Sequence, residues 1–317
     1  MKYVLLSVSL VTSMFIATSC GGGGGSTETT TTTKETLFPS NASVAEPSIE
    51  NAKEIKAVLL KDVSSLYANS ESTQNSTTNT NTLVEANKVN EKIAKRLLKE
   101  SYSLNEAVTE TSNCIDGGTI TLNGTGTQTE TTIVLDAIAT YNKCSEYGMI
   151  IDGKAHLSLS SSYENDVYTS RLYTEYLSDT TITNSTLSMK VLQGSNVLIE
   201  QENLAQRTTL NSVELHIYTN KKYASKDLIL YAYESAYEYQ SFQASGTIYI
   251  NNLENYVTLD PDYDSSKTPF LIQDNRLITG ESRYLMANGA KAKLVIENGA
   301  FKVYVDSNGD GVYELSE

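Results

Sequence analysis

The last twelve residues of the chain carry oxygen-bearing side chains at a spacing that suits a metal ion. Side-chain oxygens fall at the first, third and fifth positions, glycine at the sixth, a backbone carbonyl at the seventh, and acids at the ninth and twelfth. A hard cation such as Ca²⁺ takes about six to eight oxygen ligands, which a tightly curled loop can supply in this order. The predicted ligands are Asp306, Asn308, Asp310, Val312, Glu314 and Glu317.

The order of these ligands resembles the calcium loop of an EF-hand, although the residues before it differ from that motif. Residues 301–306 alternate apolar and polar side chains as a strand does, so the loop is expected at the tip of a hairpin. A bound calcium ion would pin the last hairpin, with the weak affinity of extracellular modules. The alternative is a plain Asn-Gly turn whose side chains cap its own backbone.

Tyrosines at alternate positions form a second candidate site. Because side chains alternate between the faces of a strand, Tyr231, Tyr233, Tyr237 and Tyr239 are predicted to share one face. Their rings could stack on sugars or line a groove for a half-apolar ligand. The alternative is ordinary packing on a pleated surface, since the chain has 21 Tyr and no Trp.

The remaining titratable residues do not match a catalytic motif. His156 and His216, the two histidines of the chain, are interpreted as solvent-side strand residues. Asp260, Asp262 and Asp264 are interpreted as a solvated acidic loop, with cation binding as the alternative. The sequence contains no nucleophile elbow, phosphate-binding glycine loop or zinc-protease motif. A protein that is not an enzyme is therefore predicted.

The first twenty residues predict export and attachment to a membrane. Residues 4–16 form an apolar run that is too short to span a bilayer but suits a signal peptide. Small residues then precede Cys20, and five glycines follow it. This arrangement resembles the bacterial lipoprotein signal, which implies cleavage before Cys20 and lipid on its thiol. Because Gly21 is not aspartate, the resemblance also implies the outer membrane of a Gram-negative bacterium.

The other two cysteines are predicted to form a disulfide. Cys114 and Cys144 lie in a chain expected to be exported, and no histidine or further cysteine lies close to either in sequence. A disulfide is therefore favoured over a metal site. Two buried free thiols are the alternative.

The charge of the chain excludes a class of partners. It has 24 Lys+Arg against 38 Asp+Glu, and loss of Lys2 with the signal peptide leaves 23 − 38 = −15. A surface this acidic repels nucleic acid and anionic lipid head groups. Lipid, and not charge, is expected to hold the protein at the membrane.

Residues 20–112 are predicted to contain a tether and two helices. Residues 21–40 have almost no apolar side chains and indicate a flexible tether. From Ser48 apolar residues recur with helical period, and residues 69–81 interrupt them with a polar stretch. A capping box at Thr82 and Glu85 marks the second helix. The predicted apolar stripe is Ala52, Ile55, Leu59, Val63, Leu66, Ala86, Val89, Ile93 and Leu97.

From Cys114 the period changes to two, which indicates strands. Turn dipeptides separate the strands, and the last three recur at a spacing of ten residues, which is typical of an antiparallel meander. The predicted turns are Asn123-Gly124, Asp152-Gly153, Gly194-Ser195, Asn220-Lys221, Asn288-Gly289, Asn298-Gly299 and Asn308-Gly309.

The predicted fold class is α+β and mainly β. A helical pair is followed by a large curved antiparallel meander, or partly closed barrel-like sheet, with the helices against its concave side or one end. The predicted organisation is a signal peptide at 1–19, a lipid-anchored tether at 20–47, a helical pair with a polar linker at 48–112, and a β domain at 113–317.

The pattern resembles a group of β-rich exported bacterial lipoproteins. The resemblance rests on residues 114–124, on residues 141–144 with the Asp-Gly at 152–153, and on residues 298–314. It implies a fold and a location but no reaction.

Three functions remain open from the sequence. The first is a membrane-anchored envelope lipoprotein with a non-enzymatic interaction or structural role, whose partner is an envelope protein or glycan. The second is a periplasmic carrier or chaperone that holds apolar ligands between sheet and helices. The third is an envelope-glycan hydrolase, which needs two carboxylates about 5–10 Å apart in a cleft.

Overall fold

Two helices lie on one face of a long antiparallel sheet. The computed structural model describes residues 37–67, 82–101, 104–185, 187–235, 238–273 and 276–316. Thr36–Glu317 forms one compact unit. The mainly β fold with an N-terminal helical pair is therefore confirmed.

The helices are α1 (Ile49–Tyr67) and α2 (Thr82–Ser101). Ser48 begins α1 by accepting a hydrogen bond on its side-chain oxygen from the backbone N–H of Asn51 at 3.1 Å, as N-cap residues do. In both helices the predicted apolar stripe faces the sheet. Its members with described side chains are all buried: Ala52, Ile55, Leu59, Ala86, Val89, Ile93 and Leu97. The side chains of Val63 and Leu66 lie outside the described residues.

The strands follow one another with short connections. They are β1 (Ser43–Val44), β2 (Leu104–Asn113), β3 (Thr119–Gln128), β4 (Thr132–Glu146), β5 (Met149–Glu164), β6 (Val167–Tyr176), β7 (Thr180–Thr183), β8 (Ser188–Val191), β9 (Asn196–Glu202), β10 (Ala205–His216), β11 (Lys221–Glu234), β12 (Tyr239–Ile250), β13 (Asn255–Leu259), β14 (Phe270–Gln273), β15 (Arg276–Thr279), β16 (Glu281–Leu285), β17 (Lys291–Glu297), β18 (Ala300–Asp306) and β19 (Leu315–Ser316). Because β2 begins at Leu104, the predicted helical segment, which ran to residue 112, ends too late.

The sheet is an up-and-down meander in which some strands are interrupted. β5 pairs with β6 and β7 along its length, and β10 pairs with β9 and β8. β12 likewise pairs with β13 and β14. Each of these pairs of short strands therefore takes the place of one long strand, and the predicted meander is confirmed.

Two of the predicted turns lie inside strands. Asn123-Gly124 falls within β3 and Asp152-Gly153 within β5. A Cβ on Gly124 would lie 2.2 Å from the backbone oxygen of Asp136, so this glycine allows close approach of β3 and β4. A Cβ on Gly153 would meet Thr180 in the same way, and Gly194-Ser195 separates β8 from β9 without reversing the chain.

The inner face of the sheet holds two apolar cores, each covered by one helix. α2 packs on β2 to β7, and its buried residues form one cluster with the inner residues of β3 to β11. α1 packs on β12, β17 and β18 and forms the second cluster. Neither helix of the described residues is long and apolar enough to cross a membrane.

The N-terminal segment crosses from the outer face of the sheet to the inner face. Phe38 stacks on Tyr249 with ring centroids 5.6 Å apart, in a small cluster separate from the inner cores. β1 then pairs in parallel with β13, and Ala45 is fully buried in the core under α1. The crossing lies at the sheet end that carries the turns at 114–118, 147–148 and 217–220. We call this the proximal end, and the end with the turns at 129–131, 165–166 and 203–204 the distal end.

Candidate functional site

The C-terminal acidic loop lies at a hairpin tip, as predicted. β18 ends at Asp306, and β19 returns to pair with it, so that Tyr304 lies opposite Ser316 and Val305 opposite Leu315. The loop is held at the proximal end of the sheet. A Cβ on Gly309 would lie 2.6 Å from the backbone oxygen of Gly289, which shows how closely the loop packs on the turn before β17.

Three predicted calcium ligands come together in this loop. Carboxylate oxygens of Asp306, Asp310 and Glu314 lie within 4.8 Å of one another. Asp306 is fully buried and accepts hydrogen bonds from the backbone N–H groups of Gly309 at 2.7 Å and Gly311 at 2.9 Å. Three carboxylates this close repel one another, and a divalent cation among them would relieve that repulsion.

Two further predicted ligands, Asn308 and Val312, are exposed. The side-chain oxygen of Asn308 accepts a hydrogen bond from the backbone N–H of Asp310 at 2.9 Å, and Val312 is 61% exposed. Glu314 accepts hydrogen bonds from the backbone and hydroxyl of Ser307. Glu317 lies outside the described residues. The loop therefore brings three of the predicted ligands, Asp306, Asp310 and Glu314, close together.

Aromatic and cationic side chains fix this loop on the outer face. The Nζ atom of Lys293 lies 4.5 Å from the ring centroid of Tyr313 and 4.8 Å from that of Tyr304. Burial raises the pKa of Tyr313.

Asp260, near this loop, is 2% exposed and forms a 2.7 Å ion pair with Lys291. The interpretation of this acid as part of a solvated loop is therefore wrong.

The predicted tyrosine stripe is divided between two strands and two faces. The chain reverses at 235–238, so Glu234 of β11 lies opposite Tyr239 of β12. Tyr231 and Tyr233 are on the outer face, 37% and 50% exposed. Tyr239 packs against the inner core beneath α2. Tyr237 lies outside the described residues.

A row of side chains runs across five strands on the outer face, near the distal end. The register places Arg171, Glu200, Arg207, Tyr231 and Phe242 directly opposite one another on β6, β9, β10, β11 and β12. Glu200 accepts from Arg207 at 2.7 Å and lies 3.6 Å from the Nε atom of Arg171. The rings of Tyr231 and Phe242 stack with centroids 5.3 Å apart.

An open cleft of about 270 Å³ adjoins this row. Its outer-face lining is mostly hydroxyl-bearing and consists of Thr132, Ser160, Ser162, Thr169, Arg171 and Glu200. Sequence reasoning missed the cleft, although the alternating serines of β5 were a signal for a polar strand face. We call the cleft, with Arg207, Tyr231 and Tyr233, the distal surface.

The two histidines have different environments. His156 lies on the outer face, with its Nε2 atom 3.0 Å from a carboxylate oxygen of Asp136. The prediction for His216 is wrong, because its side chain is 12% exposed and points inward, 4.6 Å from the ring of Tyr223. The apolar neighbour Val213 faces outward instead, where the N-terminal segment covers it.

A disulfide joins Cys114 and Cys144, whose Cα atoms are 5.4 Å apart. Both residues are buried, and the carboxylate of Glu146 lies beside them. Glu146 is itself fully buried and accepts hydrogen bonds from the Arg96 side chain and from the backbone N–H of Ile115 at 3.3 Å. The predicted pairing is therefore confirmed. The ion pair between Arg96 and Glu146 also links α2 to β4, the strand that carries Cys144.

Lys88 on α2 is partly exposed, but its ammonium group is buried. In the part of the chain that the structure describes, its Nζ atom has no hydrogen-bond partner, although Glu85, Glu91 and Glu234 lie in its surroundings. Burial lowers the pKa of Lys88 to about 8 from 10.5. The folded state therefore binds this proton less tightly than the unfolded chain does.

Lys88→Met should raise the free energy of unfolding by about 2–3 kcal/mol at pH 7, because it removes this burial cost. In the wild type, stability should rise with pH between about 8 and 10.5, where the unfolded chain holds more protons. Urea unfolding at several pH values measures both effects. Lys92→Met, on the exposed side of the same helix, is the control and should change stability by less than about 0.5 kcal/mol. A slope that persists unchanged in Lys88→Met would contradict the assignment.

Comparison with known proteins gave no family assignment. A scan against protein-family models, a search of curated proteins and a search of solved structures each found no match. The function is therefore inferred from the geometry of this chain.

Proposed function

We propose that the protein is an envelope lipoprotein, anchored through Cys20, that presents the outer face of its sheet to a partner and catalyses no reaction. The outer membrane of a Gram-negative bacterium is the proposed location, since Gly21 follows the anchor residue. The asymmetry of the sheet supports the interaction role. Its inner face is covered by α1 and α2, whereas Arg171, Tyr231 and Tyr233 are exposed on its outer face.

The observation that carries this proposal is the position of the N-terminal segment. It joins the sheet at the proximal end, where Ser43 lies opposite Asn255. The strands next to the distal surface, such as β10 and β11, run for about 40 Å at the usual rise per residue. The point where β1 joins the sheet and the distal surface are therefore at opposite ends of the strands.

The composition of the distal surface also favours a partner. Tyrosine and arginine are enriched at the centres of protein interfaces, where they carry much of the binding energy. Beside Tyr233, the turn at 203–204 exposes Leu204 to 55%. The backbone oxygen of Leu204 accepts a hydrogen bond from the backbone N–H of Glu234, so this turn lies next to the end of β11.

The two alternative functions have less support. Ile55 and Leu59 of α1, and Leu83 and Ile93 of α2, are almost fully buried against the sheet and occupy the space that a carrier would need for its ligand. For a hydrolase, Glu200 is the one carboxylate among the lining residues of the cleft, and it is paired with two arginines. Two carboxylates in one cleft would be required.

Cys20→Ala should leave an unprocessed precursor without lipid, and the protein should be lost from the membrane fraction. Fractionation of cells and mass spectrometry of the purified chain measure this. Gly21→Asp is the matched control, since the lipoprotein resemblance implies that it stays acylated but is retained in the inner membrane. Normal acylation of Cys20→Ala would contradict the anchor.

Cells that express the anchored protein can also test whether the distal surface contacts a partner. A photo-reactive amino acid in place of Tyr233 should cross-link an envelope component, and one in place of Tyr218, which is 74% exposed at the proximal end, should not. Equal cross-linking from both positions would count against a partner at the distal surface.

We also propose that the C-terminal loop binds Ca²⁺ in a structural role, which the clustering of Asp306, Asp310 and Glu314 supports. Calcium at about ten times its dissociation constant should add about 1.4 kcal/mol to the stability. Asp310→Asn combined with Glu314→Gln should abolish this increment, because it removes two of the three clustered carboxylates. Both residues are exposed, so the double substitution should leave the core intact. Melting temperatures with calcium and with chelator measure it. Asp262→Ala is the control, and a calcium increment that survives the double substitution would exclude this site.

A further inference from the structure

The distal cleft is lined by groups that recognise the hydroxyls of sugars. Each serine or threonine hydroxyl can both donate and accept a hydrogen bond, as a sugar hydroxyl does. Ser162 on β5 and Thr169 on β6 lie with their hydroxyl oxygens 2.8 Å apart, and Ser160 and Thr132 extend the same polar floor. The described lining contains no large apolar side chain, so the cleft does not suit a lipid.

Charged groups add a second kind of contact to this floor. The carboxylate of Glu200 lies between the guanidinium groups of Arg171 and Arg207. The three side chains are 35–56% exposed, so they remain open to a ligand on the outer face. An acceptor flanked by two planar donors can bind neighbouring hydroxyls of one sugar ring.

An aromatic platform lies beside the charged groups. Tyr231 is opposite Arg207 in the register, which places it two strands, about 10 Å, from Glu200. Its ring is held nearly parallel to that of Phe242, at an interplanar angle of 21°, and Tyr233 is exposed on the same face. A fixed tyrosine ring offers an apolar surface with a polar edge, which suits the two kinds of surface on a sugar.

From these three features we infer that the distal surface binds a carbohydrate chain, which lies across the strands from the cleft to the tyrosines. This inference rests on the proposed interaction role of that surface and names its ligand class. The shallow, open form of the cleft suits an extended chain that passes over it. A nucleic acid is excluded as ligand by the formal charge of −14.

The test is titration of the full-length protein in detergent with three soluble oligosaccharides: a hexamer of β-1,4-linked N-acetylglucosamine, a hexamer of β-1,4-linked glucose, and an oligogalacturonate. Isothermal titration calorimetry should detect binding of at least one. Tyr231→Ala and Glu200→Gln should each weaken that binding at least tenfold, because one removes the platform and the other the charged acceptor. Tyr218→Ala, which alters an exposed tyrosine at the proximal end, should leave it unchanged.

The melting temperature of each variant separates loss of binding from loss of folding, and the exposed positions should leave it within a few degrees of the wild type. Failure of all three oligosaccharides to bind, or equal weakening by Tyr218→Ala, would overturn the carbohydrate assignment. If Tyr233 then cross-links a protein in cells, the interaction role stands with a protein partner. If an oligosaccharide binds but Cys20→Ala is acylated, the site stands and the anchor is wrong.

Discussion

Arg96→Met should lower the free energy of unfolding by about 3–5 kcal/mol. Glu146 has no exposed surface, and the Arg96 side chain supplies its charged partner. Without that partner the carboxylate would remain buried and would keep a hydrogen bond from the backbone N–H of Ile115 at 3.3 Å. A buried charge that loses its counter-ion costs far more than the pair itself contributes. Urea unfolding at pH 7 measures the loss.

A double substitution tests the cause. Arg96→Met with Glu146→Leu removes both charges and should recover most of the stability that the single change loses. Arg171→Met removes one partner of an exposed pair with Glu200 and should cost less than about 1 kcal/mol. If Arg96→Met costs no more than Arg171→Met, the ion pair does not stabilise the contact between α2 and the sheet.

Replacement of both Cys114 and Cys144 by alanine should cost about 3–4 kcal/mol, since the bond closes a loop with a sequence separation of 30. The bond restricts the unfolded chain, and its loss frees that chain more than it disturbs the buried packing around the two residues. The urea midpoint of the variant is compared with that of the oxidised wild type.

Two checks accompany this measurement. The wild type in reductant should approach the stability of the variant, and thiol labelling of the denatured, unreduced wild type should modify neither Cys114 nor Cys144. Equal midpoints for variant and oxidised wild type would show that the bond contributes nothing. Because Glu146 lies beside the disulfide, the losses from this change and from Arg96→Met should not be additive.

The sequence predicts the main elements because their signals are local. Apolar residues at helical spacing locate both helices, and the turns at Asn298-Gly299 and Asn220-Lys221 connect consecutive strands as expected. The interrupted strands could not be predicted, since a break such as that between β6 and β7 depends on which neighbour each half meets. Gly124 misled the prediction because a glycine needed for close approach of two strands looks the same in sequence as one needed for a turn.

The two candidate sites also differ in how far the sequence alone predicts them. The acids of the C-terminal loop are close in sequence, so their spacing alone predicts that they come together. The distal surface takes Ser160, Arg171, Glu200 and Tyr231 from four strands, and only the register makes them neighbours. The prediction of one tyrosine stripe was wrong because the chain reverses between β11 and β12. Residues 235–238 contain no glycine, proline or asparagine that would have indicated this reversal.

The covering of the inner face by α1 has a consequence for the order of folding. Consecutive strands pair with each other, so the sheet can form progressively as the chain emerges. The Nζ atom of Lys56 on α1, however, donates to the backbone oxygen of Phe301 on β18 at 3.0 Å, across 245 residues. One of the first elements to be synthesised therefore completes its contacts among the last. Until then the apolar side of β12 to β17 lacks its cover, so the unfinished chain needs protection from aggregation while it is being synthesised.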